Sequence, residues 1–476
     1  MNLRRTKIVA TLGPQTDSTQ IIDAMIREGL DVARLNMSHG DHAIQKWRAE
    51  LLRSRAIINE KPVGILVDLQ GPEIRIGGFQ NDATIELLKG DNFILDTDLA
   101  EDTGTPAAVS VTHKDLARDV RPGDCLMLAD GRIELRVVRC TQTRVYCEVL
   151  VGGPLSGNKG LNRKGGGLSA DALTEKDEVD IAFAVAIDAD FIAPSFVKTE
   201  GDVHRVRRLI EQANGLQMII SKIETVEAIN NLERIVAASG GVMVARGDLG
   251  VECEPADLPA LQQRIIHVAR SANKVVIVAT QMMESMIHEP IPTRAEVFDV
   301  ANAVLNGTDA VMLSAETAIG QHPDKVIQEM SKICERVEKQ IRATTSQHRI
   351  GSLFDAADES IAMATMYLAN HTNARCIAAL TESGFTALYM SRISSGKPIY
   401  ALSSHENTRR RVSLFRGVFP IAHDPQSTEH ASFNQEVIEQ LKRVGAVKDG
   451  DTLLITKGDL QGQRGGTNAL KIITVT

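Results

Sequence analysis

MIISKIETVEAI, residues 218–229, decides how the rest of the chain is read. A β-branched apolar run ends in Lys222 and Glu224, and helical periodicity follows at once. In a strand, residues i and i+2 share a face, so an ammonium and a carboxylate emerge side by side where the strand stops. The design recurs in VMVARGD at 242–248, where Arg246 and Asp248 share a face. It recurs again in VARLNMS at 32–38, with Arg34, Asn36 and Ser38 on one face. Three strand ends thus carry cations, hard carboxylates and short oxygen ligands. That set suits a phosphorylated substrate held by a divalent metal.

Outward from these stretches, apolar runs of strand length alternate with helix-period segments. Strands are expected at Lys7–Leu12, Val32–Met37, Val63–Leu69, Phe191–Phe196, Met218–Ile223, Val242–Ala245, Val275–Thr280 and Ala310–Leu313. Helices are expected at Thr19–Glu28, Glu175–Ala186, Val203–Ala213, Val226–Ala238, Leu258–Ser271 and Arg294–Leu305. Strand–helix alternation implies a parallel sheet covered by helices. Eight such units favour a closed (β/α)8 TIM barrel over an open doubly wound sheet.

The alternation breaks between Gly71 and Ala170, where short strand-like pieces are divided by Gly, Asp and Asn turns. This is an inserted all-β lid that leaves after the third strand and closes with GGPLSGNKGLNRKGGG at 152–167. After a polar stretch, RATTSQHRIGS, a second α/β rhythm begins. The division expected is a barrel over 1–70 and 171–342, a β-barrel lid over 71–170, and a C-terminal α/β regulatory domain over 355–476.

Composition bounds the function. The chain has 476 residues, enough for two or three domains. It is 43% hydrophobic and 24% charged, with a formal net charge of −8. That balance argues against a dedicated nucleic-acid binder, which carries a basic surplus. The six cysteines are scattered without a CxxC pair, as in a reducing cytoplasm. No run reaches the roughly 18 apolar residues of a membrane span, and the first residues enter a strand rather than a leader peptide. A cytoplasmic location without membrane contact is expected.

In barrel enzymes the reacting groups lie at the C-terminal ends of the strands, and the polar residues concentrate there. Glu224 and Asp248 are the best divalent-metal ligands, or else they form ion pairs with Lys222 or Arg246. Lys222 is a compact charge for a transferring phosphoryl group, and Arg34 has the planar fork to grip it. Asn36, Ser38 and Asp68 offer oxygens to a large monovalent cation, or else the first two cap the next helix. Gly247-Asp248 presents backbone N–H groups to a carboxylate, or forms an ordinary tight turn. His39 reads as a nucleotide contact or a helix cap. Trp47 reads as packing, and Arg409-Arg410-Arg411 as a solvated helix face or a contact to a subunit or anionic effector.

RLNMSHG (34–40), GPEIR (71–75), IISKIET (219–225), MVARGDLGVE (243–252), ATQMMESM (279–286) and PTRAEVFDVANAVLNGTDAVMLSAETA (292–318) together resemble the pyruvate kinase family, bacterial type. The motifs appear in family order, and the resemblance covers essentially the whole chain. It implies that Arg34 binds the phosphate of phosphoenolpyruvate and Lys222 stabilises the phosphoryl group in transfer. Glu224 and Asp248 would hold Mg²⁺ (or Mn²⁺). Asn36, Ser38, Asp68 and the Leu69 carbonyl would hold K⁺. The Gly247 and Asp248 backbone and Thr280 would orient the substrate carboxylate, with Thr280 near the protonation path. Asn36, Met37, Ser38, His39, Arg75 and Lys159 would meet ADP or ATP. The resemblance also implies a homotetramer, allosteric control through the C-terminal domain, and production of pyruvate and ATP in the last step of glycolysis.

Two departures from the family pattern matter. Some relatives carry lysine where this chain has Glu73, and a lysine there would replace the monovalent cation, so Glu73 favours K⁺ activation. TESG at 381–384 resembles an effector phosphate loop, with Thr381, Ser383, Gly384 and Thr386 as contacts and backbone N–H groups at the next helix. Where many relatives place a polar side chain after the glycine, this chain has Phe385, and Arg464 would supply the missing charge for a sugar-phosphate or nucleotide effector, or else is a solvated loop arginine. The remaining readings are a different metal-dependent phosphoenolpyruvate or keto-acid barrel and a silent metabolite sensor. Arg75 and Lys159, which would face a nucleotide, argue against the first; the intact set of catalytic side chains argues against the second.

Overall fold

Eight short strands buried on both faces close into a parallel barrel. They are β1 (Lys7–Thr11), β2 (Val32–Asn36), β3 (Gly64–Asp68), β4 (Phe191–Ala193), β5 (Met218–Ile223), β6 (Gly241–Ala245), β7 (Val275–Ala279) and β8 (Ala310–Leu313). Their order around the barrel is β1-β8-β7-β6-β5-β4-β3-β2. Burial on both faces explains why β1, β3, β6 and β7 read as continuous apolar runs rather than alternating ones. The computed structural model describes residues 3–340, 353–354, 356–424, 430–459 and 465–476.

Helices Thr19–Glu28, Glu175–Ala186, Leu258–Ser271 and Arg294–Leu305 have the bounds their periodicity predicts. Thr293 and Glu296 form a capping box that starts the last of these, and Thr174 with Asp177 does the same for Glu175–Ala186. The stretch expected as one helix over 226–238 is two, Val226–Asn230 and Leu232–Ala238, meeting at Asn231. Helix Pro323–Val337 and strand Val418–Ala422 went unread in the sequence, and the helix holding Trp47 runs over His42–Ile58. β4 ends at Ala193 because Pro194 follows, which places Ser195 and Phe196 in a loop rather than in the expected strand.

The insert contains a six-stranded sheet and a two-stranded one. Its exit is fixed at Gly71, whose N–H donates to Asp177 Oδ1 at 3.0 Å. Gly71 has φ 71°, and an added Cβ would lie 2.7 Å from Ser195 Cβ, so only glycine fits this turn. Its return is held by Lys198 Nζ, which donates to the Leu168 and Ala170 carbonyls at 2.6 and 2.9 Å.

The C-terminal domain is a five-stranded sheet, Val418–Ala422, Ile399–Ser403, Ala374–Leu380, Thr452–Gly458 and Thr467–Thr474 in spatial order. Only the last pairing is antiparallel. Barrel-interior residues Val9, Leu66, Ile220 and Met243 fall in one apolar cluster with Leu388, Met390 and Phe415. The barrel filling therefore continues into this domain at the N-terminal ends of the strands, leaving the C-terminal ends free as a mouth.

The arginine run is not a solvated face. Arg410 is 6% exposed and bonds Asp190 Oδ1 at 2.9 Å and Glu406 Oε1 at 2.8 Å, and also reaches Asp188. Arg411 donates to the Leu216 carbonyl at 3.0 Å. Arg410 and Arg411 clamp the C-terminal domain to the barrel, while Arg409 donates to the Ser403 and Ser404 carbonyls of its own domain. Trp47, expected as packing, is 42% exposed on its helix.

Candidate active site

The ends of β2, β3, β5, β6 and β7 each deliver a side chain to one cavity of about 520 Å³ at the barrel mouth. Arg34, Asn36, Ser38, His39, Asp68 and Leu69 line it from β2 and β3. Lys222, Glu224, Asp248 and Thr280 line it from β5, β6 and β7. Glu73, Arg75 and Asn158 reach it from the insert, so the lid closes one wall.

Lys222 stands at the centre. Its Nζ lies 2.9 Å from Glu224 Oε1, 3.2 Å from Asp68 Oδ1 and 2.6 Å from Ser195 Oγ. Burial alone would lower its pKa, but Asp68, Glu224 and Asp248 more than offset this and hold it above the usual lysine value. It is a fixed cation. Asp68 is shared: its Oδ2 accepts Arg34 Nε at 2.6 Å, while Oδ1 faces Lys222. Burial raises the Asp68 carboxyl, and Arg34 with Lys222 then pull it below its ordinary value. Arg34 also donates to Thr11 Oγ1 at 3.0 Å, which aims the guanidinium across the mouth.

Glu224 and Asp248 behave differently. Burial, only partly countered by Lys222, lifts Glu224 to about 7. Burial also raises Asp248, with Lys222 opposing and Glu73 and Asp130 adding repulsion. The two carboxyls are within hydrogen-bonding reach of each other. Glu224 Oε2 accepts the Phe196 N–H at 2.7 Å. Glu224 Oε1 and Asp68 Oδ1 are buried within ion-pair distance of Lys222 but accept no well-directed hydrogen bond. Two carboxylates pressed together in a buried wall, one with an under-used oxygen, fit a divalent cation. Among the described residues no group of three or more His, Cys, Asp or Glu side chains could hold a metal. Further ligands at this pair would come from substrate and water, the usual arrangement for Mg²⁺.

Thr280 holds φ 67°, rare for a β-branched residue and costing roughly 1–3 kcal/mol. Arg246 fixes it by donating to the Thr280 carbonyl at 2.6 Å and the Ala279 carbonyl at 3.2 Å, while its other end grips Asp299. Arg246 is thus a brace and pairs with neither Glu224 nor Asp248. The Gly247 N–H donates to Thr280 Oγ1 at 2.9 Å, and residues 246–252 form a short helix rather than a tight turn. Ser314 and Glu316, also at a strand end, brace a loop: Glu316 accepts from the Met283 and Ser314 N–H groups.

The helix-capping alternative for Asn36 and Ser38 is settled by Asp41, which caps helix His42–Ile58 by accepting the Ile44 N–H at 2.9 Å. The Asn36 side chain instead accepts the Ser38 N–H at 3.1 Å. Two residues unread in the sequence hold this turn from behind. Gln45, 1% exposed, donates to the Asn36 and His39 carbonyls at 3.0 and 2.7 Å. Lys176 donates to the Met37 carbonyl at 2.7 Å and is anchored on Asp180. Met37 itself is buried, and the Leu69 carbonyl accepts the Ser195 hydroxyl at 2.7 Å. Ser195 could have been found from the proline before it; Gln45 and Lys176 leave no signal beyond ordinary helix positions.

Arg75 Nε donates to Glu73 Oε2 at 2.7 Å and its Nη1 to the Asn158 carbonyl at 2.7 Å. Lys159 lines a neighbouring cavity of about 240 Å³ between insert and barrel, together with Arg75 and Asp248, and not the mouth itself.

In the C-terminal domain, Thr381, Ser383 and Thr386 line a small cavity of about 80 Å³ with Lys457 and His423. Gly384, at φ 88°, uses its N–H on Thr381 Oγ1 at 2.9 Å, and Thr386 Oγ1 lies 2.8 Å from Thr467 Oγ1. Phe385 is 50% exposed, and Arg464 lies outside the described residues.

A TIM barrel whose mouth sets Lys222 and Arg34 among buried carboxylates beneath a β lid defines a barrel enzyme with a charge-dense site at the C-terminal ends of its strands. The family described as "Pyruvate kinase, barrel domain" matches residues 3–327, and "Pyruvate kinase, alpha/beta domain" matches residues 359–473. Among curated proteins, pyruvate kinase II of Salmonella typhimurium is 47% identical over 477 residues, covering 99% of each chain. The pyruvate kinase of Haemophilus influenzae is 48% identical over 96% of each chain. That of Thermotoga maritima is 39% identical over 99% of this chain and 100% of its own. The chain belongs to the pyruvate kinase family and is a phosphotransferase. No helix among the described residues is long and apolar enough to cross a membrane.

Proposed function

We propose that this chain transfers the phosphoryl group of phosphoenolpyruvate to ADP, giving pyruvate and ATP, with Mg²⁺ or Mn²⁺ and K⁺ as cofactors. One observation carries the reading: Lys222 is held between Asp68, Glu224 and Ser195, facing Arg34 across one cavity, with Asp248 beside it. Arg34 would bind the substrate phosphate through the guanidinium edge not used by Asp68. Lys222, a permanent cation, would offset charge on the phosphoryl oxygens as the bond to the enol oxygen breaks and the bond to ADP forms. Glu224 and Asp248 would hold the divalent ion, and Asn36, Ser38, Asp68 and the Leu69 carbonyl the monovalent one. When bound, these ions add positive charge over the phosphates and neutralise what the lysine alone cannot.

Arg75 and Lys159 on the lid, with residues 36–39, would take the nucleotide phosphates. Lid closure would bring Lys159 from its neighbouring cavity toward the mouth and exclude water from the enolate. Thr280, fixed by Arg246, would orient the substrate carboxylate with the Gly247 and Asp248 backbone and stand near the carbon that takes the final proton. That pose requires the Gly247 N–H to leave Thr280 Oγ1. The reading divides the chain into a barrel over 1–70 and 171–342, a lid over 71–170 and a C-terminal domain over 355–476. A cytoplasmic homotetramer, tuned by a sugar-phosphate or nucleotide at Thr381, Ser383, Gly384 and Thr386 with Arg464, completes the reading. The polar lining of the small C-terminal cavity supports that placement.

The test is pyruvate formation from phosphoenolpyruvate and ADP with Mg²⁺, in K⁺ and in K⁺-free buffer. Turnover that needs Mg²⁺ and rises with K⁺ is the expected result; none under any condition would overturn the reading. Glu73→Lys should weaken the K⁺ response, and an unchanged response would remove Glu73 from that role.

A further inference from the structure

At the opposite end of the barrel from the mouth, a cavity of about 420 Å³ lies between the strand beginnings and the C-terminal domain. Arg207, Lys274 and Arg411 line it, and among the described residues of its wall there is no carboxylate. The rest of the wall is largely apolar, with Met218, Leu388, Tyr389 and Phe415.

Two of the cations are fixed against one helix end. Lys274 Nζ donates to the Ser239 and Ala237 carbonyls at 2.6 and 3.2 Å, and Arg207 Nη2 to the Ala238 carbonyl at 2.7 Å. A helix C-terminus offers about half a negative charge, set here against two full positive ones. The cations press on each other: burial first, then the charge of Arg207, holds the Lys274 ammonium below its ordinary value. Cations crowded in a wall without an acid gain most from an incoming anion.

We infer that this cavity is a binding site for an amphipathic organic anion. A phosphate or carboxylate would sit on Arg207 and Lys274, and a flat apolar body against Leu388 and Tyr389. The size suits a small metabolite, and interfaces between domains are where such cavities concentrate. The site is separate from the small effector cavity, on the other side of the Ser383–Phe385 loop that both share. Its floor is the beginning of β5 and the residues leading into β6 and β7, whose far ends carry Lys222, Glu224, Asp248 and Thr280. A bound anion would thus touch the C-terminal domain and the strands of the mouth together.

The experiment is calorimetric titration of the full-length protein with 4-aminophenyl phosphate, and separately with inorganic phosphate. Beside any binding at the mouth and the effector loop, we expect a class of site that prefers the aryl phosphate and weakens about tenfold in Arg207→Gln, the size of one lost charge-assisted hydrogen bond. Arg207→Lys should restore most of that affinity. Thr386→Val in the effector loop and Lys222→Met in the mouth should leave this class unchanged. Should Arg207→Gln fold poorly, Lys274→Gln probes the same wall, with a severalfold loss expected. Native-like affinity in these wall variants would overturn the proposal. So would loss of all binding in Thr386→Val or Lys222→Met, or no binding at millimolar concentration.

Discussion

The two ends of the barrel bury charge in opposite ways. At the N-terminal end, Asp309 is fully buried and accepts from Arg392 Nη1 at 2.9 Å, the Arg416 N–H at 3.0 Å and the Val276 N–H at 3.0 Å. Asp31 there accepts from Arg4 and the Ile8 N–H. Burial pushes the Asp31 carboxyl up, but Arg4, Lys61 and Lys7 overcome it and bring it down to about 2. At the mouth, Glu224 is as deeply buried yet ends near 7, and Asp248 is raised beside it. At the first end the Asp309 and Asp31 carboxylates are saturated with partners, and Asp309 joins the barrel to the C-terminal domain through Arg392 and Arg416. The other leaves carboxylates crowded, so that cations and substrate complete it. Same fold and same burial, but the completeness of the partner set separates a structural charge cluster from a functional one.

The largest expected effect lies at the mouth. Lys222→Met should lower turnover by about 10²–10³-fold or more while leaving phosphoenolpyruvate binding largely intact, as measured by steady-state rates and direct titration. Near-normal turnover would remove Lys222 from the mechanism. At the other end, Arg392→Leu leaves Asp309 buried without its main partner and should cost about 3–5 kcal/mol in urea unfolding. Turnover per folded molecule should hardly change. A mouth-like loss of activity from this variant would break the comparison.

The two ends should also answer pH with opposite sign. Asp31, depressed when folded, contributes about 2 kcal/mol above pH 4 that is lost as pH falls toward 2. Glu224, raised when folded, favours the native state below its unfolded value of 4.5, and that contribution is lost as pH rises through 7. In chelator, Glu224→Gln should therefore gain roughly 1–3 kcal/mol over the native chain between pH 5 and 8. A pH-independent difference would contradict the crowding. The smallest effect concerns the turn at 36–39. Gln45→Leu should raise the K⁺ concentration for half-activation by about threefold with little change in maximal rate, on the scale of one lost hydrogen bond. A fall in maximal rate alone would make Gln45 merely structural.

The barrel and its mouth were legible because both rest on local pattern. Continuous apolar runs mark strands buried on both faces, and polar residues spaced by two at their ends mark one shared face. Legibility failed where tertiary partners decide. Arg410 reads as solvated until Asp190 is seen to meet it, and Trp47 reads as core until its helix face is known. Gln45 and Lys176 act on backbone carbonyls, which no side-chain pattern reveals. Phe196, Thr280 and Gln281 take φ of 51°, 67° and 52°; for the β-branched Thr280 no propensity anticipates this, and Arg246 stabilises it from 34 residues away in sequence.

The central claim is that the crowded carboxylates at the mouth exist to be completed by a divalent cation during phosphoryl transfer. It is tested most directly by titrating Mg²⁺ into the pyruvate-forming assay with the native chain and with Glu224→Gln. The account expects the native chain to need Mg²⁺ and the variant to need at least about tenfold more for half-activation, the loss of one charged ligand. Turnover of the native chain without a divalent ion, or identical Mg²⁺ curves for the two proteins, would contradict it.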